Sequence, residues 1–513
     1  MAKPWKNPLT KLDYPDPDII RVDDTYYMVS TTMYFMPGCE ILRSYDLVNW
    51  EHASYVYDTL DSTDRQKLSE DKNIYGNGMW AASLRYHKGR FYVCFVANDT
   101  RRTYLYTAES IEGPWKKSII EGFYHDCSLL FDDDERVYLA YGNRVIRITE
   151  LKPDLSGPLE GGLDRVAVVD PWKHNLGYEG AHFYKINGKY CLFFIHSLET
   201  RWMRTEACYI ADSIDGEFVG GEILEDDMGY CGQGVAQGGI VDTPDGKWYA
   251  VLFQDSGAVG RIPVLVPVSW DGDRPVFGID GKVPLTFDVE STRPDHEYTP
   301  LVDSDDFKVS SSDTRLYGSF GLKSAWQFNH EPDLTLFRHD KANGSITIVT
   351  DKLCTDVTQA KNTLTQRMIY PGCTGEVTVD VSALNEGDYA GICALQSSFG
   401  YIAVTKRNGQ NFIVMTRAEF DRANERTVTE EAAVPVNGDT FRLRVTADFT
   451  MMKDEVYFSY LDGGEWKKLG PVHKMRYRLD HFTGYRFGLF VYSTEKTGGS
   501  AKFSSFTYEK AEG

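Results

Sequence analysis

The chain has 513 residues, of which 42% are hydrophobic and 25% charged, and its formal net charge is −20. This length can bury a sizeable core in two or three domains, so an intrinsically disordered chain is excluded. Nucleic acids and anionic membrane surfaces both bind basic faces, so the acidic balance and the absence of a Lys/Arg run argue against either as a partner.

Targeting and cysteine signals point to a reduced compartment. No apolar stretch in the sequence approaches the roughly 20 residues that span a bilayer. The N-terminal residues lack the apolar centre of a signal peptide, so we expect a cytoplasmic protein, with an already removed leader as the alternative. The nine cysteines are scattered and form no CxxC pair, which is typical of reduced thiols rather than of a disulfide framework or a zinc site.

Short apolar runs rich in Tyr, Phe, Val and Ile, separated by Gly, Asp, Asn and Pro, predict strands and turns and hence an all-β protein. Along the first 285 residues one pattern occurs five times: an apolar strand, a tight acidic or glycine-containing turn, and an aromatic strand. The five segments are DPDIIRVDDTYYMVS, WAASLRYHKGRFYVCF, DCSLLFDDDERVYLAY, EGAHFYKINGKYCLFF and QGGIVDTPDGKWYAVLF.

The spacing of these segments predicts the architecture. Their turns are typical of β-hairpins, and matched positions of the aromatic strand fall 46 to 65 residues apart, at Tyr27, Tyr92, Tyr138, Cys191 and Tyr249. A unit of that length holds a four-stranded sheet, and repeated units of this kind are typical of β-propellers. We therefore predict a five-bladed β-propeller over residues 1–295.

The same register predicts where functional side chains meet. In a propeller the first strand of each blade lines the central channel, so the residues that begin these strands form a ring at one mouth. The five positions, eleven or twelve residues before each aromatic-strand position, hold Asp16, Trp80, Asp126, Glu179 and Gln237. Three carboxylates, a tryptophan and a glutamine are thus expected to converge on one funnel.

The repeat stops near residue 303. Segments such as GEVTVDVSAL, EVYFSYLD and AKFSSFTYE alternate apolar and polar residues, and turn signals recur between them. This pattern predicts a β-sandwich over residues 303–513. The polar, breaker-rich stretch over residues 288–300 is interpreted as a linker.

Three carboxylates and an aromatic wall at one mouth suit hydrolysis of a glycosidic bond. One carboxyl group must be protonated to donate to the leaving oxygen, and another must be ionised to activate water or attack the sugar. A third acid nearby would raise the pKa of the donor by charge repulsion. Trp80 offers a face on which a sugar ring can stack.

Each ring residue also has a structural interpretation. An acid between prolines, as Asp16 is, commonly forms a turn; Asp126 could end a strand, and Glu179 could pair with an arginine. Trp80 could lie in the core, and His125, which precedes Asp126, is left open between structure and function. The shared register favours function, because structural acids have no reason to occupy equivalent positions in three blades. The acids of the hairpin turns are expected to be solvated: Asp23, Asp24, Asp132 to Asp134 and Asp245.

Longer motifs resemble a known family. The segments YPDPDIIRVDDTYYMVST, GMWAASLRYHKGRFYV, DCSLLFDDDERVYLAYG and YEGAHFYKINGKYCLFF resemble the first four blades of glycoside hydrolase family 43, and GRIPVLVPVSWDGDRPVFG resembles the end of its catalytic domain. AWQFNHEPD, GDYAGICALQ and HFTGYRFGLFVYSTEKTGG resemble the concanavalin-like sandwich of the family's β-xylosidases and α-L-arabinofuranosidases. The resemblance covers nearly the whole chain.

The resemblance implies an inverting mechanism in which each ring carboxylate has a role. Asp16 matches the general base and Glu179 the general acid. Asp126 matches the acid that raises the pKa of the general acid and orients it. Contacts with the sugar are expected from residues of the channel mouth and from one residue of the sandwich: Trp80, Arg261, Phe35, Met33, Gln237 and Phe482.

This chain departs from the family pattern at the fifth blade. The family commonly has a histidine, tied to a water cluster or calcium, where this chain has Gln237. An amide is a poorer anchor, so we expect no required cofactor and assign no metal-ligating residue, while a structural calcium ion is left open. Trp80 is followed by Ala-Ala instead of Ala-Pro, and Glu179 by Gly-Ala-His instead of Gly-Pro-His.

We therefore expect an exo-acting glycosidase that releases terminal D-xylose or L-arabinofuranose from xylo-oligosaccharides or arabinoxylan. Its partner would be a small oligosaccharide or a hemicellulose side chain, and a homo-oligomer is left open. Two alternatives stay open: an endo-arabinanase-like glycosidase, which needs an open groove, and a non-catalytic carbohydrate-binding propeller. Inversion requires room for a water molecule, with the two carboxyl groups about 6.5–9.5 Å apart.

Overall fold

The structure is a computed structural model that describes residues 3–170, 175–309 and 320–511. Strands dominate these residues, and the helices among them are three 3-10 turns of three residues each: Gly257–Val259, Val357–Gln359 and Thr450–Met452. None of these turns comes near the length or apolarity that a bilayer crossing requires. The predicted all-β class is confirmed.

Five four-stranded antiparallel sheets, each built from consecutive strands, form the blades of the predicted propeller. The first strands of the blades contact one another in a closed circle and so line the channel. The strands are Asp18–Val22, Thr25–Ser30, Gly38–Ser44 and Glu51–Tyr57 in blade I; Met79–His87, Arg90–Ala97, Arg102–Ala108 and Lys116–Ile120 in blade II; Ser128–Phe131, Val137–Asn143, Val145–Leu151 and Asp164–Val169 in blade III; Glu179–Ile186, Lys189–Ser197, Arg204–Ala211 and Val219–Leu224 in blade IV; and Val235–Asp242, Trp248–Asp255, Arg261–Asp271 and Arg274–Phe277 in blade V.

The inner hairpin of each blade closes at its predicted turn, and in three blades the turn has two residues. The expectation that all turn acids are solvated was wrong for Asp132, which is buried. Its carboxylate accepts hydrogen bonds from Lys185 Nζ and Tyr190 Oη, both in blade IV. The neighbouring blade covers this turn, which a reading of blade III alone could not reveal.

The ring of blades is closed by the N-terminal segment, which runs along blade V. The strand Lys3–Lys6 pairs with Thr286–Val289, and the amide of Asn7 exchanges hydrogen bonds of 2.9 and 3.0 Å with the backbone of Leu265. Farther on, Tyr14 N donates to the carbonyl of Arg261 at 2.9 Å. This pairing delivers the chain to the channel mouth immediately before blade I begins.

A buried ion pair fills the central channel. Asp18, at the start of blade I, is fully buried and accepts hydrogen bonds from Arg85 Nη1 at 2.6 Å and from Leu84 N at 2.8 Å. Its other oxygen contacts His182 Nδ1 at 3.1 Å and Tyr184 Oη at 3.2 Å. One carboxylate of blade I therefore binds residues of blades II and IV.

The guanidinium of Arg85 extends the same network. It donates to the carbonyls of Leu129 and Phe183 and to Ser128 Oγ, which lie in blades III and IV. Tyr184 Oη in turn accepts a hydrogen bond from Ile240 N of blade V at 3.2 Å. All five blades are thus joined through this one pair and its direct partners.

Two packed sheets form the C-terminal sandwich. In sheet order, the first contains Arg426–Val436, Gln410–Phe420, Gly400–Arg407, Asp388–Leu395, Arg486–Ser493, Leu364–Arg367, Gln327–Asn329 and Phe35–Met36. The second contains Phe337–Asp340, Ser345–Val349, Ser500–Lys510, Gly372–Asp380, Thr440–Asp448, Glu455–Asp462 and Glu465–Lys468, with His473–Lys474 beside Glu455–Asp462.

The two domains are continuous at their interface. The last strand of the first sandwich sheet, Phe35–Met36, belongs to the propeller and pairs with Gln327–Asn329. The largest apolar cluster runs from Leu9 and Ile262 of the propeller to Met368 and Phe449 inside the sandwich. The sandwich is therefore packed onto the propeller through a shared core.

The predicted linker over residues 288–300 is attached along blade I. Thr292 N donates to the carbonyl of Tyr45 at 2.7 Å, and Arg293 Nε lies 2.7 Å from a carboxylate oxygen of Asp24. Thr299 N donates to Glu51 Oε2 at 3.0 Å. These contacts hold the connection against the propeller.

We expect Arg85→Met to lower the free energy of unfolding by about 3–5 kcal/mol, because it leaves the Asp18 charge buried without its counter-ion. Urea unfolding followed by tryptophan fluorescence measures the effect. The matched control is Arg136→Met, which removes an exposed ion pair with Asp134 and should cost less than about 1 kcal/mol. Equal effects of the two substitutions would contradict a role for the channel pair in joining the blades.

Candidate active site

Asp16 lies on the floor of the channel mouth, between Pro15 and Pro17 and directly before blade I. Its side chain is 9% exposed, and its backbone has a φ of +52°. One oxygen of its carboxylate lies 2.6 Å from Arg261 Nη1, and the other accepts a hydrogen bond from Thr31 Oγ1 at 2.9 Å. The carboxylate is thus oriented by two fixed donors.

Arg261 begins the third strand of blade V and is held from several sides. Its backbone N donates to Asp13 Oδ1 at 2.8 Å, and its guanidinium lies between the rings of Phe253 and Phe482, at 5.0 and 4.3 Å from their centroids. Its Nε is 3.7 Å from Asp255 Oδ1. The guanidinium is therefore held in place by protein contacts alone.

Asp126 occupies the matching position before blade III, and its side chain is 7% exposed. One carboxylate oxygen accepts a hydrogen bond from Gly180 N at 3.1 Å. Burial, together with the charges of Glu179 and Asp16, raises the pKa of Asp126 to about 7, although the neighbouring His125 opposes the rise. Asp126 is thus a carboxyl group that exchanges its proton near neutral pH.

Glu179 is the first residue of blade IV, and its side chain is 21% exposed. Asn143 Nδ2 donates a hydrogen bond to Glu179 Oε2. The next residue, Gly180, has a φ of +64°, and a Cβ atom there would lie 2.5 Å from Gln237 Cδ. A side chain here would be strained by the positive φ and would crowd Gln237, whereas glycine lets the chain turn so that Glu179 faces the mouth.

Backbone irregularity recurs at the ring positions of all five blades. Asp16, Asp126 and Gln237 have positive φ angles. The pairing register shifts between Met79 and Ala82 in blade II, between Glu179 and His182 in blade IV, and between Ala236 and Gly238 in blade V. Such bulges and left-handed residues re-aim side chains at a strand end. They are the local means by which five strand starts face one opening.

The predicted apolar wall forms one cluster of residues from both domains. The rings of Trp80 and Phe482 lie 5.5 Å apart, and both are partly exposed. Met33 and Phe35 are buried behind them. The guanidinium of Arg486 stacks on Phe35, with its Cζ atom 3.5 Å from the centroid of the Phe35 ring. The structure therefore places Trp80 and Phe482 at the surface of the wall and Met33 and Phe35 in its support.

Gln237 is in the ring, but its side chain is buried beneath Gly180. Its backbone N donates to Glu206 Oε2 at 2.7 Å, and burial raises the pKa of Glu206 well above its ordinary value. The predicted contact between Gln237 and the sugar stays a prediction.

Asp18 and Arg85 in the channel do not fit the calcium ion that the family pattern left open. Calcium takes six to eight oxygen ligands, whereas the channel carboxylate, Asp18, is already bonded to Arg85, His182, Tyr184 and the backbone. The guanidinium of Arg85 places a fixed positive charge at this point, which would repel a second cation. We therefore derive no catalytic step from a metal.

Several residues that contact the ring escaped the sequence analysis. Thr31 and Asn143 orient Asp16 and Glu179 from the ends of neighbouring strands, and Asp13 binds both Arg261 N and Gly484 N of the sandwich at 2.8 Å. The Tyr477 ring packs against Phe482, at 6.3 Å between centroids. Asp13 lies three residues before Asp16 and Thr31 faces Asp16 across the first hairpin of blade I, whereas Asn143 reaches Glu179 from the neighbouring blade and Tyr477 belongs to the sandwich.

The ring carboxylates occupy two different electrostatic environments. Asp16 is paired with a guanidinium, whereas Asp126 and Glu179 lie together beside an imidazole. Carboxyl groups in two such environments beside an aromatic face suit glycosidic hydrolysis, in which one carboxyl group gives up a proton and another accepts one. The fold and the site together define a glycoside hydrolase with two domains.

Comparisons with known proteins agree with this class. The model of glycosyl hydrolases family 43 matches residues 5–275, and the model of the β-xylosidase C-terminal concanavalin A-like domain matches residues 318–509. The chain belongs to glycosyl hydrolase family 43. The predicted five-bladed propeller, the concanavalin-like sandwich and the glycosidase class are thereby confirmed.

Curated relatives carry xylosidase and arabinosidase names. The chain is 25% identical to a β-xylosidase of Formosa agariphila, across 98% of this chain and 90% of that protein. It is 27% identical to xylosidase/arabinosidase 43B of Humicola insolens, across 99% and 98%. A non-reducing end α-L-arabinofuranosidase of Bacteroides ovatus is 25% identical across 88% and 85%.

Solved structures share the whole two-domain arrangement. A bifunctional GH43-CE protein of Bacteroides eggerthii is 42% identical over the full length of this chain, with a TM-score of 0.91, and this chain spans 64% of that protein. A GH43 enzyme engineered for both endo-xylanase and exo-arabinofuranosidase activity is 28% identical over the full length of both chains, with a TM-score of 0.88.

We expect Asp126→Asn to raise the apparent melting temperature at pH 8 by about 2–5 °C. The folded protein binds the Asp126 proton more tightly than the unfolded chain does, so the buried carboxylate destabilises the fold increasingly from about pH 4 to about pH 7. The advantage of the variant should therefore vanish near pH 4. Differential scanning fluorimetry at both pH values measures it, with Asp245→Asn in an exposed turn as the control. An equal difference at both pH values would contradict the raised pKa.

Proposed function

We propose that this family 43 enzyme is an inverting, exo-acting glycosidase that releases terminal D-xylose or L-arabinofuranose from xylo-oligosaccharides or arabinoxylan. The observation that supports this most directly is the separation of the ring carboxylates into two environments at one mouth. Asp16 has a guanidinium partner. Asp126 and Glu179 have a backbone amide, an amide side chain and an imidazole as their near neighbours.

In this mechanism Asp16 is the general base. Thr31 and Arg261 each hold one of its oxygens, and each carboxylate oxygen keeps a further lone pair that can accept a proton. A water molecule bound there attacks the anomeric carbon from the face opposite the leaving group and passes a proton to Asp16. The orientation of the carboxylate by two donors lowers the entropic cost of this step.

Glu179 is the general acid, and Asp126 acts on it. Glu179 donates its proton to the glycosidic oxygen as the bond breaks, which avoids expulsion of an alkoxide. A hydrogen bond from Gly180 N holds Asp126 next to Glu179, where it can orient and modulate the acid. The proposed separation of about 6.5–9.5 Å between the carboxyl groups of Asp16 and Glu179 stays a prediction.

Exo action is supported by the wall that the sandwich adds to the mouth. Phe482 contacts both Trp80 and the Arg261 guanidinium. The neighbouring propeller segment, Phe35–Met36, is paired into the sandwich sheet. A mouth bounded on this side favours a terminal sugar over the middle of a chain. No proton transfer in the scheme needs a metal, so we propose that activity survives dialysis against EDTA.

The choice of sugar is supported by the names of the relatives, which include a β-xylosidase, a xylosidase/arabinosidase and an α-L-arabinofuranosidase. We propose both pentoses as products because one pocket can bind both through similar hydroxyl groups. Aryl β-D-xyloside, aryl α-L-arabinofuranoside, xylo-oligosaccharides and arabinoxylan form the test panel. Release of single pentoses supports exo action, whereas oligomers released from arabinan or xylan would identify an endo enzyme.

We expect Asp16→Asn and Glu179→Gln each to lower kcat by about 100- to 10,000-fold on the best aryl pentoside, because each removes one proton transfer. Circular dichroism should show both variants folded. The matched control is Asp245→Asn, an exposed turn acid of blade V, which should keep wild-type turnover. Full activity in either ring variant would remove that residue from the mechanism.

We expect the first product formed to have the anomeric configuration opposite to that of the substrate. A single displacement by water inverts the anomeric carbon, whereas a covalent glycosyl intermediate leads to retention. Proton NMR of the early reaction, before mutarotation, distinguishes the two. Retention of the anomeric configuration would mean that Asp16 acts as a nucleophile rather than as a base, and it would overturn the inverting scheme.

A further inference from the structure

Among the described residues, His125 is a titratable side chain that contacts both Asp126 and Glu179, here called the acid pair, and that has no role in the proposed mechanism. It lies at the entry to blade III, where its carbonyl accepts a hydrogen bond from Gly142 N at 3.0 Å. Its Nε2 is 3.6 Å from Asp126 Oδ2 and 3.8 Å from Glu179 Oε2. The imidazole therefore contacts both carboxyl groups of the pair at once.

The surroundings of His125 hold it in this position. Its ring lies 5.7 Å from the ring of Trp80, and its side chain is 23% exposed. His125, Asp126 and Glu179 present atoms that all lie within 4.8 Å of one another. Blades II, III and IV thus each contribute one side chain that fixes the imidazole or is contacted by it.

Two carboxyl groups this close titrate as a pair, and a nearby cation changes how tightly the pair binds its protons. If both carboxyl groups are protonated, neither carries a charge that acts on the other. If neither is protonated, no acid remains to donate to the leaving oxygen. A positive imidazole in contact with both carboxyl groups favours their ionised forms, so it loosens the hold of the pair on its last proton. A proton that is held less tightly passes more readily to the leaving oxygen.

We propose that His125 is a positioning residue whose cationic imidazole lowers the pH at which the Asp126–Glu179 pair gives up its last proton. This inference rests on the proposed function. The groups that face His125 are Asp126, Glu179 and the Cys127 thiol, and the charge of Asp16 acts on Asp126. Although burial opposes a charge, the carboxylates raise the pKa of His125 to about 9, so the imidazole is charged at neutral pH.

We expect His125→Gln to move the alkaline limb of the kcat/KM profile upward by about 1–2 pH units, the usual effect of one adjacent opposite charge. The sign follows because removal of a cation makes the acid pair bind its last proton more tightly. At pH 7 kcat should fall about tenfold, because the pair then gives up its proton less readily to the leaving oxygen. His125→Arg, which restores the charge, should return the limb toward its wild-type position.

The matched control is His87→Gln. His87 ends the first strand of blade II, away from the acid pair, and its ring stacks on that of Phe131. This variant should keep the wild-type profile. Equal profiles for His125→Gln and His87→Gln, or no recovery in His125→Arg, would overturn the proposal. Loss of wild-type activity in EDTA would assign the cluster to a metal and would also overturn it.

A second measurement separates this inference from the proposed function. In histidine-labelled wild-type protein, the NMR signal of His125 is identified as the one that is missing from the spectrum of His125→Gln. This signal should titrate near pH 9. It should titrate at lower pH in Glu179→Gln, because one of the two carboxylates is gone. Titration near the ordinary value of about 6.5 would overturn the proposal. Failure of the wild type to hydrolyse any aryl pentoside would instead reject the proposed function and leave the NMR result intact.

Discussion

The Asp18–Arg85 ion pair is the contact on which the propeller depends. A ring of five sheets leaves a hole at its centre, and the strand starts around it would expose polar backbone to that hole. Burial alone would raise the pKa of Asp18, but Arg85 and His182 hold it well below its usual range. A buried pair stabilises a fold only when nearly every donor and acceptor is satisfied, and here each partner bonds to several blades.

This pair also places the catalytic floor. Asp18 is two residues from Asp16, and Gly239 N of blade V donates to the intervening Pro17 carbonyl at 3.1 Å. Asp16 is consequently fixed between the first and last blades, where Arg261 reaches it. Beyond Arg261 the charges alternate through Asp255 to Arg204. This chain of ion pairs leads away from the proposed base, whereas the cation described beside Asp126 and Glu179 is an imidazole, so the two ends of the site differ in charge.

The sandwich is part of the site as well as a neighbour of it. Asp13 binds the backbone of Arg261 with one oxygen and that of Gly484 with the other. A Cβ atom at Gly484 would lie 2.1 Å from the carbonyl oxygen of Val259, so the backbones of the two domains touch at this point. Phe482 lies two residues away. Its position on the Arg261 guanidinium is therefore set by direct bonds between the domains.

Much of this architecture followed from the sequence alone. Because hairpin turns and aromatic strands recur with side chains in a fixed register, the repeat predicted the five blades, and stepping back to each strand start predicted that Asp16, Asp126 and Glu179 would share one mouth. The resemblance to family 43 then implied their roles and the contribution of Phe482. These features could be predicted because they depend on short segments of sequence or recur at equivalent positions in each blade.

Other features were decided by tertiary structure, because they depend on segments that are far apart in the chain. The partner Asn143, the burial of Asp132 under blade IV, and the position of Gln237 beneath Gly180 each require knowledge of how one blade packs on the next. The raised pKa of Asp126 has the same origin, since it arises from burial and from charges contributed by blades I and IV. The sequence determined which side chains face the channel, and only the closed ring decided which of them lie side by side.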